Sequence, residues 1–159
     1  MKVKVRLYTV SSPNIHKKLK TLSLDRSRGI LYSADDVAKV IVAYDLNARK
    51  CVGHIKCSNA NPNRILIYNK DSNKYRRMYV TTKQGLLLFF DIANVYQPVL
   101  IYSMKVVLRP DSGINFVKQI NMDTDRNILV LGLKNSDVLV IQLIIGKEHM
   151  STIVEKIPF

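Results

Sequence analysis

The feature that most constrains this chain is a plan that returns three times. Its first copy opens with Leu22-Ser23-Leu24-Asp25 and a polar turn, Arg26-Ser27-Arg28-Gly29. Ile30-Leu31-Tyr32-Ser33 follows, then a turn around Asp35 and Asp36, then Val40-Ile41-Val42-Ala43-Tyr44 closing on Asp45-Leu46. The second copy runs from Ile65 to Ile92 through Met78-Tyr79-Val80-Thr81 and Leu86-Leu87-Leu88-Phe89-Phe90, closing on Asp91-Ile92. The third runs from Ile120 to Leu143 through Ile128-Leu129-Val130-Leu131 and Val138-Leu139-Val140-Ile141. Short alternating or apolar runs bounded by turn residues are the pattern of strands, and no segment sustains a helical period. A recurrence of roughly 40 to 50 residues with about four strands per unit is the sequence form of a propeller blade. The spacing predicts an all-β chain with blades over 16–57, 58–104 and 105–159. Lys2–Val10, which alternates with one cationic face, reads as a strand belonging to a neighbouring blade.

Composition narrows the partners more than the fold. The 159 residues are enough for one ordinary core, and no uncharged apolar stretch has the length of a transmembrane helix. The N-terminal MKVKVRLYTV interleaves charge with Val and Leu, unlike the apolar centre of a signal peptide. Two cysteines, Cys51 and Cys57, do not make a disulfide framework, so a reducing compartment is expected, the cytoplasm first and the nucleus second. The formal net charge is +13 and is unevenly placed. Residues 1–83 carry 18 Lys and Arg against 5 acids, whereas residues 84–159 are balanced at 7 against 7. A field of that kind draws in acidic proteins, nucleic acid or anionic lipid.

Tyr44-Asp45-Leu46 and Phe90-Asp91-Ile92 resemble the end of the third strand of a WD40 repeat, where an aromatic often replaces the family's Trp. Asp35 or Asp36, and Asp137, fall near the tight turn where that family places an Asp bonded to a His, and His16 lies ahead of the first repeat as a partner. The resemblance covers about residues 16–157. It implies a WD40-like β-propeller portion of about three four-stranded blades plus an N-terminal strand. It further implies a non-catalytic scaffold that meets other macromolecules through its blade loops. Three blades in an arc leave apolar faces open. The chain is therefore expected to be part of a longer polypeptide, a half that completes another subunit's propeller, or a self-associating unit, in that order.

Enzyme chemistry is not expected. His16, His54 and His149 are far apart in sequence, and no nucleophile elbow, zinc-protease motif or phosphate-cradling glycine loop occurs. No cofactor or metal is called for. Cys51, His54 and Cys57 could suggest a metal, but in one unbroken strand 51 and 57 share a face and 54 points to the other. Tyr75-Arg76-Arg77-Met78 resembles the Phe-Arg-Arg-Gly loop by which one propeller family grips phosphoinositides. On a basic hairpin tip with Lys70 and Lys74, the two arginines could hold a phosphate bidentately. Lys17, Lys18 and Lys20 form a second basic cluster. The expected partner-binding residues are thus Lys70, Lys74, Arg76 and Arg77, then Lys17, Lys18 and Lys20. Proteins are the first class of partner, including whatever completes the propeller. Phosphoinositide or anionic membrane through Arg76 and Arg77 is one alternative, and RNA or ribonucleoprotein assembly is another. Leu86–Phe90 is expected to be a strand covered on both faces.

Overall fold

The computed structural model describes residues 19–70, 75–106, 117–133, 138–145 and 150–157, with backbone alone at 19–20, 70, 75, 144–145 and 150–157. The first four strands are β1 (Leu19–Asp25), β2 (Ile30–Asp35), β3 (Val40–Asp45) and β4 (Lys50–Lys56). Next come β5 (Pro62–Lys70), β6 (Tyr75–Thr82), β7 (Leu86–Asp91) and β8 (Val99–Lys105). The last are β9 (Val117–Asp123), β10 (Ile128–Leu133), β11 (Val138–Ile145) and β12 (Met150–Ile157). They form three four-stranded antiparallel meanders in chain order, and no helix occurs among the described residues. The first strands β1, β5 and β9 lie against one another in turn. Each sheet therefore stands with its first strand innermost and its fourth on the rim. That is how propeller blades are arranged, and the chain is an all-β propeller portion of three blades. The segment 2–10, together with His16 and Asp137, lies outside the described residues.

One turn plan recurs, and it explains the aspartates that punctuate the sequence. Asp25, Asp35, Asp45 and Asp123 each end a strand and precede a four-residue turn. The last residue of each turn is left-handed: Gly29 at φ 68°, Lys39 at 58°, Arg49 at 55° and Asn127 at 55°. Asp35 accepts the Val37 and Ala38 N–H at 3.0 and 2.9 Å, and Asp45 accepts those of Asn47 and Ala48 at 2.8 and 2.9 Å. Asp123 does the same for Asp125 and Arg126, at 3.0 and 3.2 Å. A carboxylate in this position satisfies turn donors that no strand can reach. Asp91 holds the Ala93 N–H at 2.8 Å, so both aspartates of the Tyr-Asp and Phe-Asp pairs are turn caps. Gly29 holds that position with no side chain to strain, and a Cβ there would lie 2.6 Å from Asn47 Nδ2, so the end of that side chain would have to move.

Alternation along the strands then sorts the apolar residues between two interfaces. Ile30, Tyr32, Ile41 and Ala43 of the first blade pack on Met78, Val80, Leu88 and Phe90 of the second. Tyr68, Tyr79, Leu87 and Phe89 turn the other way, onto Leu129, Leu131, Leu139 and Ile141 of the third. β7 is thus buried on both faces, as its unbroken apolar run requires. Aromatic contacts run across the second blade from Tyr68 to Tyr79, Phe89 and Tyr102, with ring centroids 6.4, 5.2 and 5.3 Å apart. These are edge or tilted contacts of the favourable kind.

The rim strand β4 corrects one expectation. Tyr44 pairs with Cys51 and Ala43 with Gly53, so Val52 is an extra residue in the ladder. This bulge reverses the alternation. Cys51 and His54 consequently share the face of Tyr44 and Val42, while Cys57 joins the core on the opposite side. Both thiols are free, and burial pushes that of Cys57 up to about 12.

Candidate functional site

The densest polar constellation among the described side chains lies between the first two blades, where β1 and β5 end. Asp25 points from the end of β1 toward the second blade and is completely buried. Its carboxylate accepts from Ser27 Oγ at 2.8 Å, Arg28 Nε at 2.7 Å, Asn69 Nδ2 at 2.9 Å and Arg76 Nη1 at 3.0 Å. Arg76 Nη1 also donates to Ser27 Oγ at 2.7 Å. Arg28 reaches on to the carbonyls of Ile92 and Ala93 at 2.7 and 3.1 Å, and to Tyr32 Oη at 3.3 Å. Burial is the largest influence on Asp25 and pushes its carboxyl up. The hydrogen bonds from Ser27, Arg28 and Asn69 and the charge of Arg28 together outweigh it and hold the group below its ordinary value. Burial likewise raises the Tyr32 hydroxyl to about 12, so it stays protonated beside the pair. Two guanidinium groups surround one carboxylate, leaving the cluster net cationic.

A second clasp closes the opposite end of the same interface. Lys83 Nζ meets the buried Asp36 carboxylate, and Asn61 bridges the Asp36 carbonyl and the Gln84 side chain. The second and third blades are joined more simply. Asn63 Nδ2 donates to the Val117 carbonyl at 2.7 Å and Arg64 Nε to that of Lys118 at 2.8 Å.

This geometry changes the standing of the residues expected to contact partners. Lys17, Lys18 and Lys74 lie outside the described residues, and Lys20 and Lys70 are placed by backbone only, in β1 and at the end of β5. Arg76 and Arg77 do not sit on a hairpin tip; they belong to β6, and consecutive strand residues face opposite ways. Arg76 turns toward the first blade and is 9% exposed, bound to Asp25. Arg77 turns toward the third and pairs with Asp91 at 2.5 Å. One phosphate cannot be held by both, contrary to expectation, because the strand separates the two guanidinium groups and carboxylates already occupy them. The sequence reading missed Asp25, Ser27, Arg28 and Asn69. Alternation sets the leucines of Leu22-Ser23-Leu24-Asp25 inward, whereas Leu22 and Leu24 are 62% and 43% exposed and Asp25 is buried, so the pattern of the run hid this group. Among the described residues, no group of three or more His, Cys, Asp and Glu comes together in a way that could hold a metal.

No protein family matches the sequence, and no curated protein matches it. Solved structures do resemble it in fold. A periplasmic gluconolactonase of Pseudomonas aeruginosa, PpgL, superposes with a TM-score of 0.69 at 10% identity, over 90% of this chain and 43% of its own. A protein of Bacteroides uniformis assigned as a 6-phosphogluconolactonase does so with a TM-score of 0.62 at 10% identity, over 91% of this chain and 43% of its own. The chain thus spans less than half the length of the proteins whose fold it shares. These likenesses overturn the expectation of a non-catalytic scaffold with lipid or RNA binding as alternatives. The solved neighbours of the fold are named for an enzymatic activity, so the architecture gives no ground for excluding catalysis. The expectation that the chain is not an enzyme falls with it. No helix among the described residues is long and apolar enough to cross a membrane.

Proposed function

We propose that the chain supplies three adjoining blades of a propeller that hydrolyses sugar lactones. One observation carries the reading: the likeness in fold to two proteins named as gluconolactonases, over 90% and 91% of this chain. In that reaction water adds to the acyl carbon, the ring oxygen leaves as a hydroxyl, and a sugar acid results. The net charge of +13 supports an anionic substrate, because a cationic field raises the local concentration of phosphorylated or carboxylated sugars. Asp25 is enclosed by its donors and serves to hold Arg28 rather than to activate water. Arg28, whose side chain is 19% exposed, is the cation so held. The catalytic base is sought on the blades that complete the ring.

The test is acid release from glucono-δ-lactone and from its 6-phosphate, followed by pH indicator. It is run on the purified chain and on any longer product of the same gene. Acceleration over buffer, stronger for the phosphate and weakened by salt, supports the reading. Rates equal to buffer with both substrates from a folded complete propeller would remove it, whereas the three blades alone, without the base, should match buffer. The capped Tyr-Asp and Phe-Asp turns support kinship with WD40 repeats, which further gene sequence lacking that four-strand plan would end. The two free thiols support a cytoplasmic location, which recovery of the protein outside the cytosol on cell fractionation would end.

A further inference from the structure

The face that the third blade turns away from the second repeats, position for position, the face that the first blade buries. Asp25 pairs with Ile30 and Asp123 with Ile128, so the two aspartates stand at the same place in their blades. By the same register Ile128, Val130, Val138 and Val140 take the places of Ile30, Tyr32, Ile41 and Ala43. In the first blade those residues are buried under the second. In the third they point away from the core shared with the second blade and lie half-buried. A blade is stable when both of its faces are covered by neighbours, and the junction of the first two blades shows what covers a face of this pattern.

The polar end of the face sets the charge of its cover. Arg76 Nη1 of the second blade donates to both Asp25 and Ser27 Oγ. The third blade has a carboxylate at each of these places, Asp123 and, two residues on, Asp125. Asp123 Oδ1 caps its own turn, while Oδ2 meets Arg126 only at 3.9 Å. The side chains of Asp123 and Arg126 are 41% and 77% exposed, where those of Asp25 and Arg28 are 0% and 19%. Two acids against one arginine leave this turn anionic, and a complementary surface answers it with a cation. We infer that this face seats a further propeller blade, which brings an Arg or Lys from the start of its second strand onto Asp123 and Asp125. A second copy does not fit. On the opposite face of its first blade Val42 and Tyr44 are already buried, at 3% and 7%, and Gly29 precedes Ile30 where Arg76 precedes Arg77 in the second blade. The further blade is required by the propeller fold, whether or not the ring hydrolyses lactones.

The experiment places a photo-reactive phenylalanine analogue at Asn121 or at Val140, both on this face, in the full product of the gene made in its own cells. Irradiation and mass spectrometry should join both positions to one segment outside residues 1–159, with the four-strand blade pattern and an Arg or Lys opening its second strand. The same analogue at Tyr96, on the loop before β8, should not reach that segment. Asp123→Asn/Asp125→Arg, in which Asn still caps the turn, should lower the yield at least about tenfold. Exchanging the located Arg or Lys for Glu should then restore it, with the thermal midpoint of the chain unchanged. A link to a second copy of this chain, or to a segment without the blade pattern or the cation, would overturn the inference. So would no link from either position, or a yield that Asp123→Asn/Asp125→Arg leaves unchanged.

Discussion

Replacing Asp25 by Ala should uncouple the first blade from the second. The side chain is the common acceptor for Ser27, Arg28, Asn69 and Arg76, and its own exposure is 0%. Removing one partner of a buried ion pair costs about 3–5 kcal/mol, because the other charge stays behind without its carboxylate. Arg28 lowers the sum, as its side chain is 19% exposed and keeps the Ile92 and Ala93 carbonyls. Arg76 does not, with 11% of its side chain exposed. The expected loss for Asp25→Ala is therefore about 3–4 kcal/mol, a large share of the roughly 5–15 kcal/mol typical of a domain. Urea unfolding followed by far-UV circular dichroism at neutral pH measures it. Asp25→Ala/Arg76→Leu should recover at least about 1 kcal/mol of the loss, since an apolar side chain suits the vacated interface. A loss below about 1 kcal/mol, or a double variant no better than the single one, would refute the reasoning. The sign with pH follows from the lowered carboxyl. Its contribution is complete above the ordinary value of 3.8 and is lost as pH falls through the lower folded value. Asp25→Asn should accordingly flatten the acid limb of stability below that point and leave the limb above neutrality unchanged.

The other expectations are simpler. Arg77→Ala should cost no more than about 1 kcal/mol, because its pair with Asp91 is partly exposed; a loss equal to that of Asp25→Ala would contradict the two-sided placement of Arg76 and Arg77. Ser33 Oγ is buried without a hydrogen-bond partner, so Ser33→Ala should be neutral or stabilising by about 1 kcal/mol, read as a rise in Tm. Phe89→Ala, at the centre of the aromatic contacts and fully buried, should cost about 3–5 kcal/mol in the same urea experiment. Thiol labelling of the native protein at mild alkaline pH should modify half-buried Cys51 first and spare Cys57, whose thiol burial raises to about 12; equal rates would place Cys57 at the surface.

Much of the architecture was legible because strand alternation and turn chemistry are local. The run Leu86–Phe90 announces a strand covered on both faces wherever it is placed, and it is buried so here. The recurrence of Asp before each turn follows from which donors a four-residue turn leaves unsatisfied, a need that the residues on either side already express. Facing was less legible, as exposed Leu22 and Leu24 beside buried Asp25 already show. Val52 reverses the order of Cys51, His54 and Cys57, and nothing in Lys50–Lys56 marks where the ladder slips.

The cations show most clearly what sequence alone could not decide. Arg76 and Arg77 read as a pair because they are adjacent in the chain, but adjacency in a strand means opposite faces. The carboxylate that takes Arg76 lies 51 residues away in another blade. Period, blade number and core strands are set by interactions over a few residues and could be read from the chain itself. Whether a guanidinium is available to a ligand depends on the desolvation and counter-charge that a distant strand brings to it, and only the packing of one blade on the next supplies those.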